Sequence, residues 1–435
     1  MSPDHAPRGA TLLRRYPALP FPPAFAGLVL LLGPLAAAAQ PPGPGLARGI
    51  AQADSIVADA VAREQVPGAV LLVAQHGRVL HERAYGYAQL YELRDGRVVR
   101  LERPRPMRTS TLFDLASVTK VMATTFAVML LVDRGRLELD APVGRYLPEL
   151  SDPPHAAITV RHLLQHASGL NRWQPIYYHA RNAAEALAHI RTLPLEFEVG
   201  AGRHYSDLGF MLLGYIVERV SGRPLDVFVR EELYAPLGLS STVFNPREHG
   251  FHEFAATEHG NPYERQMVYD TAFGYDYAGD PAAWDGWRTY TLVGEVDDGN
   301  AYYAHGGVAG HAGLFSTAAE LRVLLDLLLR RGEYAGTRYL RPETVDAFLT
   351  RDRHGHGLGW MMPRELPEGS FAHTGFTGTY VAGVPRYGLA VVLLTNRQNV
   401  GRDEEGYYPN VNGLRNAVMR ALVADAEADA AAKAR

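Results

Sequence analysis

The stretch from Ser117 to Asp133, SVTKVMATTFAVMLLVD, limits what this chain can fold into more than any other part of it. Placed on a helix, Val121, Met122, Phe126, Met129 and Leu130 leave little of the circumference polar, and a helix that is apolar nearly all round has to be buried. It needs cover on more than one side, supplied by sequence far from it. IAQADSIVADAVAREQ, from Ile50, has helical apolar spacing at Ile50, Ile56, Val57 and Val61. VPGAVLLVAQHGRVLHERAYGYA reads as two strands split by a turn at His76-Gly77. ITVRHLLQHASGL and DLGFMLLGYIVERVSG read as helices, the second stopped by Gly222. Further on, AAELRVLLDLLLRRG is an amphipathic helix, GLGWMM, SFAHTGFTGTYVAGV and GLAVVLLTN read as strands, and a last helix runs from Asn412 to about Asp425. Strands at both ends with helices between them predict an α/β (α+β) chain: one sheet built from distant segments and interrupted by a mostly helical lobe.

The expected boundaries follow from composition. Arg14 and Arg15 precede an apolar run from Phe25 to Ala39, then Gln40 and PPGPG. This reads as a signal peptide over 1–39, cleaved near Ala39, and a linker over 40–49. The folded domain is expected over 50–425, with sheet segments at 50–116 and 301–425 and the helical lobe at 121–300. The alanine-rich end, 426–435, is expected to be a disordered tail. A secreted or periplasmic protein without firm membrane association is the corresponding expectation, with an uncleaved membrane anchor as the alternative. The chain has no cysteine, which excludes disulfides, thiolate catalysis and thiolate metal sites. A formal net charge of −4 with no basic run after the signal argues against nucleic acid as a partner. Residues 244–300, aromatic and acidic as in AFGYDYAGDPAAWDGW, read as a long irregular insertion over a cleft. Tyr269, Tyr275, Trp284 and Trp287 within it serve equally well as packing or as pocket lining.

Of 43 basic residues only Lys120 and Lys433 are lysine. Guanidinium stays protonated at any physiological pH, whereas a buried ammonium can lose its proton, so a lysine kept inside an apolar helix points to a base. Ser117 stands three residues before it, on the same helical face. Ser-x-x-Lys is the pairing of an activated nucleophile.

Downstream stand Tyr205-Ser206-Asp207 in HYSDLGF and His373-Thr374-Gly375 in AHTGFTG. In order and separation the three elements resemble the Ser-x-x-Lys, Tyr-x-Asn and Lys/His-Thr-Gly signatures of penicillin-recognising serine hydrolases. The nearest subgroup holds the class C β-lactamases, D-alanyl-D-alanine carboxypeptidases and related esterases. LLQHASGL (163–170), APLGLSST (235–242) and GGVAGHAGLFST (306–317) also resemble segments of that family, and the resemblance spans about 50–425. It implies a β-lactamase/transpeptidase-like fold, an antiparallel sheet flanked by helices. It further implies an acyl-enzyme on Ser117, with Lys120 and Tyr205 both candidates for the base and Tyr205 as proton donor to the leaving group. The oxyanion would lie between the backbone amides of Ser117 and Phe376, and Asp207, His373, Thr374 and Gly375 would bind substrate. No metal or organic cofactor is expected.

Two departures bear on specificity. Asp207 replaces an asparagine whose amide donates to substrate, and a carboxylate only accepts, so β-lactam turnover is disfavoured while pairing with Lys120 becomes open. His373 replaces lysine, and a histidine charge fades above about pH 6.5, so anchoring of a substrate carboxylate should weaken as pH rises. His162 and His166 in HLLQH have zinc spacing but no glutamate between them or evident third ligand, so they read as helix-end histidines bonding backbone. HGHG (354–357) reads as a loop, and the glycines of GGVAGHAG as a tight turn beneath the cleft. The leading expectation is an exported D-alanyl carboxypeptidase or D-amino-acid peptidase on small peptidoglycan-type peptides. An esterase on small acyl esters is the alternative, a β-lactamase the third, and a non-catalytic cell-wall-binding protein the reading from another class.

Overall fold

The computed structural model describes residues 46–275 and 277–434, so the signal-peptide reading lies outside the described residues. The first helix, α1 (Ala47–Ala62), leads into strands β1 (Gly68–Gln75), β2 (Arg78–Arg94) and β3 (Arg97–Pro106). The sheet is completed from the far end of the chain by β4 (Phe371–Thr374), β5 (Tyr380–Val384) and β6 (Leu389–Thr395). The strand order is β4-β5-β6-β1-β2-β3, every pair antiparallel, so among the described residues the first strand pairs with the last: Ala69 lies opposite Thr395 and Gln75 opposite Leu389.

GAVLLVAQ does not alternate because both faces of β1 are covered. Leu71 and Val73 face α1 and the C-terminal helix, whose Leu414, Val418, Met419 and Leu422 meet Ile50, Ala53 and Val57. Val70, Leu72 and Ala74 face the main core, which contains Phe126, Met129, Leu321, Leu324 and Leu328. The 117–133 stretch is buried in that core as expected, but it is not one uniform helix. A 3₁₀ turn at Ala116–Val118 gives way to a wider π-wound segment at Lys120–Thr125 and then to α2 (Phe126–Asp133).

Three expectations are corrected. The helix that starts at Asn412 runs through to Lys433 instead of stopping near Asp425, so 426–433 is helical rather than a disordered tail. Alanine is the best helix former, Ala426 is buried against α1, and Lys433 pairs with Asp429 at 2.6 Å. The expected linker ends earlier than residue 49, because α1 begins at Ala47 with Leu46 and Gly49 already buried; the Gly49 amide donates to Asp425 Oδ2 at 2.7 Å. GLGWMM is not a strand: only Met361 bridges to Ala372, while Trp360 packs edge-on against Phe371. Beyond Ala88 the charged stretch QLYELRDGRVVRLERPRP forms the outer part of the β2–β3 hairpin. Asp95 and Gly96 turn it with φ of 50° and 73°, the primed geometry that suits Asp-Gly.

Candidate active site

Ser117 sits at the start of the buried segment, held by a strained turn. Ala116 adopts φ of 45°, a left-handed conformation that costs a non-glycine residue energy and needs support from its surroundings. Asp114 supplies it: Oδ1 accepts from the Ala116 amide at 2.8 Å and Oδ2 from the Asp297 amide at 2.6 Å. From the other side, Thr377 donates its hydroxyl to the Asp114 carbonyl at 2.7 Å and Thr379 to the Leu115 carbonyl at 3.0 Å. The strand edge that carries His373-Thr374-Gly375 is thereby fastened to the turn that carries Ser117. A Cβ on Gly375 would run into the Leu115 carbonyl and Thr379, so the close approach requires glycine here.

Lys120 has no exposed surface. Its Nζ donates to Ser117 Oγ at 2.9 Å and to the His311 carbonyl at 3.1 Å, and forms an ion pair with Asp207 Oδ1 at 2.6 Å. The glycine-rich 306–313 loop thus lies under the site, with Gly310 accepting from Thr124 Oγ1 at 2.6 Å. Asp207 opens the long helix α4 (Asp207–Ser221; α3 is Val160–Leu164), where a negative charge is favoured, with Ser206 as its N-cap. The Tyr205 ring is 4.9 Å from Nζ, and its hydroxyl interacts with both Lys120 and Ser117.

The protonation states overturn one expectation. Burial alone would push the Lys120 ammonium down, but Asp207 and then Tyr205 outweigh it and hold the amine above its ordinary value. Burial also raises the Tyr205 hydroxyl, against the opposing pull of Lys120. The resting site therefore carries a charged lysine and a neutral tyrosine, not a free amine or a phenolate. His373 differs from expectation as well. It is buried, its Nδ1 lies 2.9 Å from the Thr374 carbonyl, and burial followed by the Lys120 charge holds it down at about 3. Neutral at any working pH, it offers no positive charge to a substrate carboxylate.

Ser117, Tyr205, Asp207, His373, Thr374, Gly375 and Phe376 all line one cleft of about 720 Å³, and Lys120 lies directly behind Ser117. The Gly375 carbonyl accepts from Gly378 N at 3.0 Å and Arg415 Nη2 at 3.3 Å. In a planar trans peptide this turns the Phe376 N–H the opposite way. The Ala116 carbonyl is likewise taken by the Thr119 amide, which fixes the peptide that carries the Ser117 N–H. Arg397 Nε holds the Phe376 carbonyl at 2.8 Å.

The 244–300 insertion lines the cleft with Glu258, Tyr263, Glu264, Tyr275, Asp297 and Asp298. Burial pushes Glu264 up to about 8, Asp297 to about 6 and, with Asp297 beside it, Asp114 to about 7. Burial would raise Asp298 too, but His311, whose Nε2 is 2.9 Å from Oδ1, brings it down to about 2. None of these acids was picked out from the sequence, since AATEHGNPYERQ and GEVDDGN carry no motif that marks them. Of the insertion's aromatics, Tyr275 lines the cleft, Trp284 and Trp287 pack with Tyr177 and Tyr303, and Tyr269 is exposed. His162 closes a capping box with Thr159. His166 Nδ1 accepts the Ser206 amide at 3.0 Å and its ring lies 4.4 Å from that of Tyr205. Among the described residues no group of three or more histidines and acids is arranged to hold a metal ion.

The profile of the family described as Beta-lactamase matches residues 53–412. A Bacillus subtilis (strain 168) protein named N-acetylmuramyl-L-alanine amidase is 36% identical over 373 residues, covering 79% of this chain and 80% of its own. An Escherichia coli (strain K12) protein named as a D-alanyl-D-alanine carboxypeptidase is 35% identical over 360 residues, covering 76% and 78%. Among solved structures, EstCE1, a hydrolase with promiscuous acyltransferase activity, superposes with a TM-score of 0.64 at 22% identity over 86% of this chain and 98% of its own, a likeness of fold. The chain belongs to the beta-lactamase family and is a serine hydrolase of that family.

Proposed function

We propose that this hydrolase cleaves an amide bond in small peptidoglycan-type peptides outside the cytoplasm, as a D-alanyl carboxypeptidase acting through an acyl-enzyme on Ser117. The observation that carries the reading is the contact of Lys120 with both Ser117 Oγ and Asp207 in a cleft bounded by His373-Thr374-Gly375. The scissile carbonyl oxygen would sit between the amides of Ser117 and Phe376. Once Lys120 has given up its proton, its amine takes the hydroxyl proton of Ser117 as Oγ attacks the carbonyl carbon. The tetrahedral oxyanion collapses, the C–N bond breaks, and Tyr205 hands its proton to the leaving amine while Lys120 reprotonates Tyr205. Water then attacks the ester by the same base, releasing the acid and Ser117. Because the resting lysine is charged, the rate should climb towards alkaline pH. Two observations favour a second reading, cleavage of the bond between a muramyl lactyl group and L-alanine: the name of the Bacillus relative, and the aromatic wall of Trp173, Tyr263, Tyr275 and Tyr407, suited to stacking on a sugar. The esterase alternative uses the same steps with an alcohol as leaving group.

Intact-mass analysis after incubation with benzylpenicillin, beside Ser117→Ala, tests the nucleophile, and product analysis tests the substrate. An adduct on the wild type alone, and release of D-alanine from an acyl-D-Ala-D-Ala peptide, are expected. Release of a dipeptide from N-acetylmuramyl-L-Ala-D-isoGln without D-alanine release would move the assignment to the second reading. Turnover of short acyl esters alone would establish the esterase.

A further inference from the structure

Helix α3 ends in a hydrogen-bond pattern that usually places glycine at the residue after the cap. The Ala167 amide returns to the His162 carbonyl at 2.8 Å and the His166 amide to the Leu163 carbonyl at 3.1 Å, with His166 itself at φ of 56°. Glycine or asparagine would take this left-handed position at least strain. A buried histidine occupies it instead, and its side chain grips the segment that carries Tyr205. The Ser206 amide donates to Nδ1 at 3.0 Å and the His204 amide to the His166 carbonyl at 3.0 Å. The ring lies 4.4 Å from that of Tyr205 and 5.1 Å from that of Phe210. One residue thus holds the backbone on either side of Tyr205 and one side of its ring.

The Ser206 N–H belongs to the peptide that also carries the Tyr205 carbonyl, so a planar peptide passes the constraint on to Tyr205. Burial, followed by the charges of Arg203 and Lys120, keeps His166 well below the ordinary histidine value. The imidazole is therefore neutral, with Nδ1 as acceptor and its proton on Nε2, which has no hydrogen-bond partner among the described residues. A phenyl ring would leave no donor unmet there, so packing alone does not account for an imidazole, whereas the acceptor at Nδ1 does. We propose that His166 is a positioning residue for leaving-group protonation: through Nδ1 and its ring it aims the Tyr205 hydroxyl at the atom that departs from the acyl group. The inference rests on the proton-donor role given to Tyr205 above and is independent of which acyl compound is the natural substrate.

The test uses an alkyl oxygen ester and a thioester with the same acyl group, so that it does not require peptidase activity. As the C–O bond breaks, the departing alkoxide needs the Tyr205 proton, whereas a thiolate leaves without one because thiols ionise near about 8.5. The readout is the ratio of kcat/KM for the thioester to that for the oxygen ester. A ratio taken on one preparation does not depend on how much of a variant folds. Tyr205→Phe should raise it at least about tenfold, less than a general acid commonly contributes. His166→Gly, which suits the helix end but lacks the acceptor, should raise it to a similar level. His166→Asn, which tolerates the left-handed conformation and offers Oδ1 in place of Nδ1, should keep most of the wild-type ratio. The double variant of His166→Gly and Tyr205→Phe should not exceed Tyr205→Phe alone, since both act on one proton. Equal losses on both substrates in His166→Gly, a rise in His166→Asn as large as in His166→Gly, or a double variant above Tyr205→Phe would overturn the proposal. If Tyr205→Phe raises the ratio and His166→Gly does not, the role of Tyr205 stands and the positioning role alone falls; if Tyr205→Phe leaves the ratio unchanged, both fall.

Discussion

Replacing Asp207 by asparagine removes the counter-charge of Lys120 while keeping its shape. The ammonium is wholly buried and lies 2.6 Å from Oδ1, and 18% of the Asp207 side chain is exposed. At an effective dielectric of about 20, unit charges at that separation attract by about 6 kcal/mol before desolvation. Water at the exposed edge screens part of this. If only a quarter survives as a net preference for the charged amine, about 1.5 kcal/mol remains, or about tenfold in the ratio of ammonium to amine. An ammonium left buried without its partner would cost about 3–5 kcal/mol, so the variant's lysine should shed its proton instead. The acid limb of kcat/KM for a thioester, followed from pH 5 to 10, should therefore move to lower pH. Between pH 6 and 10 the kcat/KM of Asp207→Asn should rise by a smaller factor than that of the wild type. The stability consequence has the opposite sense. Lys120 is held above its ordinary value of 10.5, so its charged form stabilises the wild-type fold fully below that pH and the contribution is lost above it. The variant lacks that contribution and should unfold at lower urea at pH 7. Coincident acid limbs in wild type and variant would refute the assignment of the rate-controlling proton to Lys120.

Because His373 is held at about 3, KM for a carboxylate thioester should stay flat from pH 5.5 to 8.5; a rise in KM across pH 6.5 would show that His373 titrates against substrate. Gly375→Ala should push the His-Thr-Gly strand off the turn at Leu115 and lower stability by about 1–3 kcal/mol in urea melts, with activity falling further than stability, whereas unchanged activity would refute the fastening role of that contact. Phe126→Ala, at a side chain with no exposed surface in the main core, should cost about 3–5 kcal/mol by the same assay, and a loss under about 1 kcal/mol would mean that the core closes without it.

The elements that the sequence revealed best are those with a strong local signal. The helix stopped by Gly222 ends there because Gly222 takes φ of 75°, and the hairpin turns at His76-Gly77, with φ of 51° and 82°. Residue type and order mark out Ser117, Lys120, Tyr205, Asp207 and His373 in the sequence, and the fold brings them together at one cleft. What could not be read depends on partners remote in sequence. Whether Lys120 is charged is decided by Asp207, 87 positions on (207 − 120), and the state of His373 by how deeply β4 is buried. Burial lowers an isolated amine, and only the ion pair reverses that sign. The acids at 258, 264, 297 and 298 were hidden in text without periodicity, and the outer β2–β3 hairpin was masked because both its faces carry charges.

The pairing of β1 with β6 also governs when the molecule can fold. Strand β1 can pair with β2 across a two-residue turn, but its other edge, apolar on both faces, stays open until Leu389–Thr395 arrives more than 300 residues later. Helix α1 waits as long for its cover, since the Gly49 amide meets Asp425. Contacts of such long sequence separation slow folding and prolong the exposure of a sticky strand edge. The two ends of the chain act as a clasp, and a chain cut before Leu389 would lose the closure of the sheet itself, along with the strand that supports the edge of the cleft.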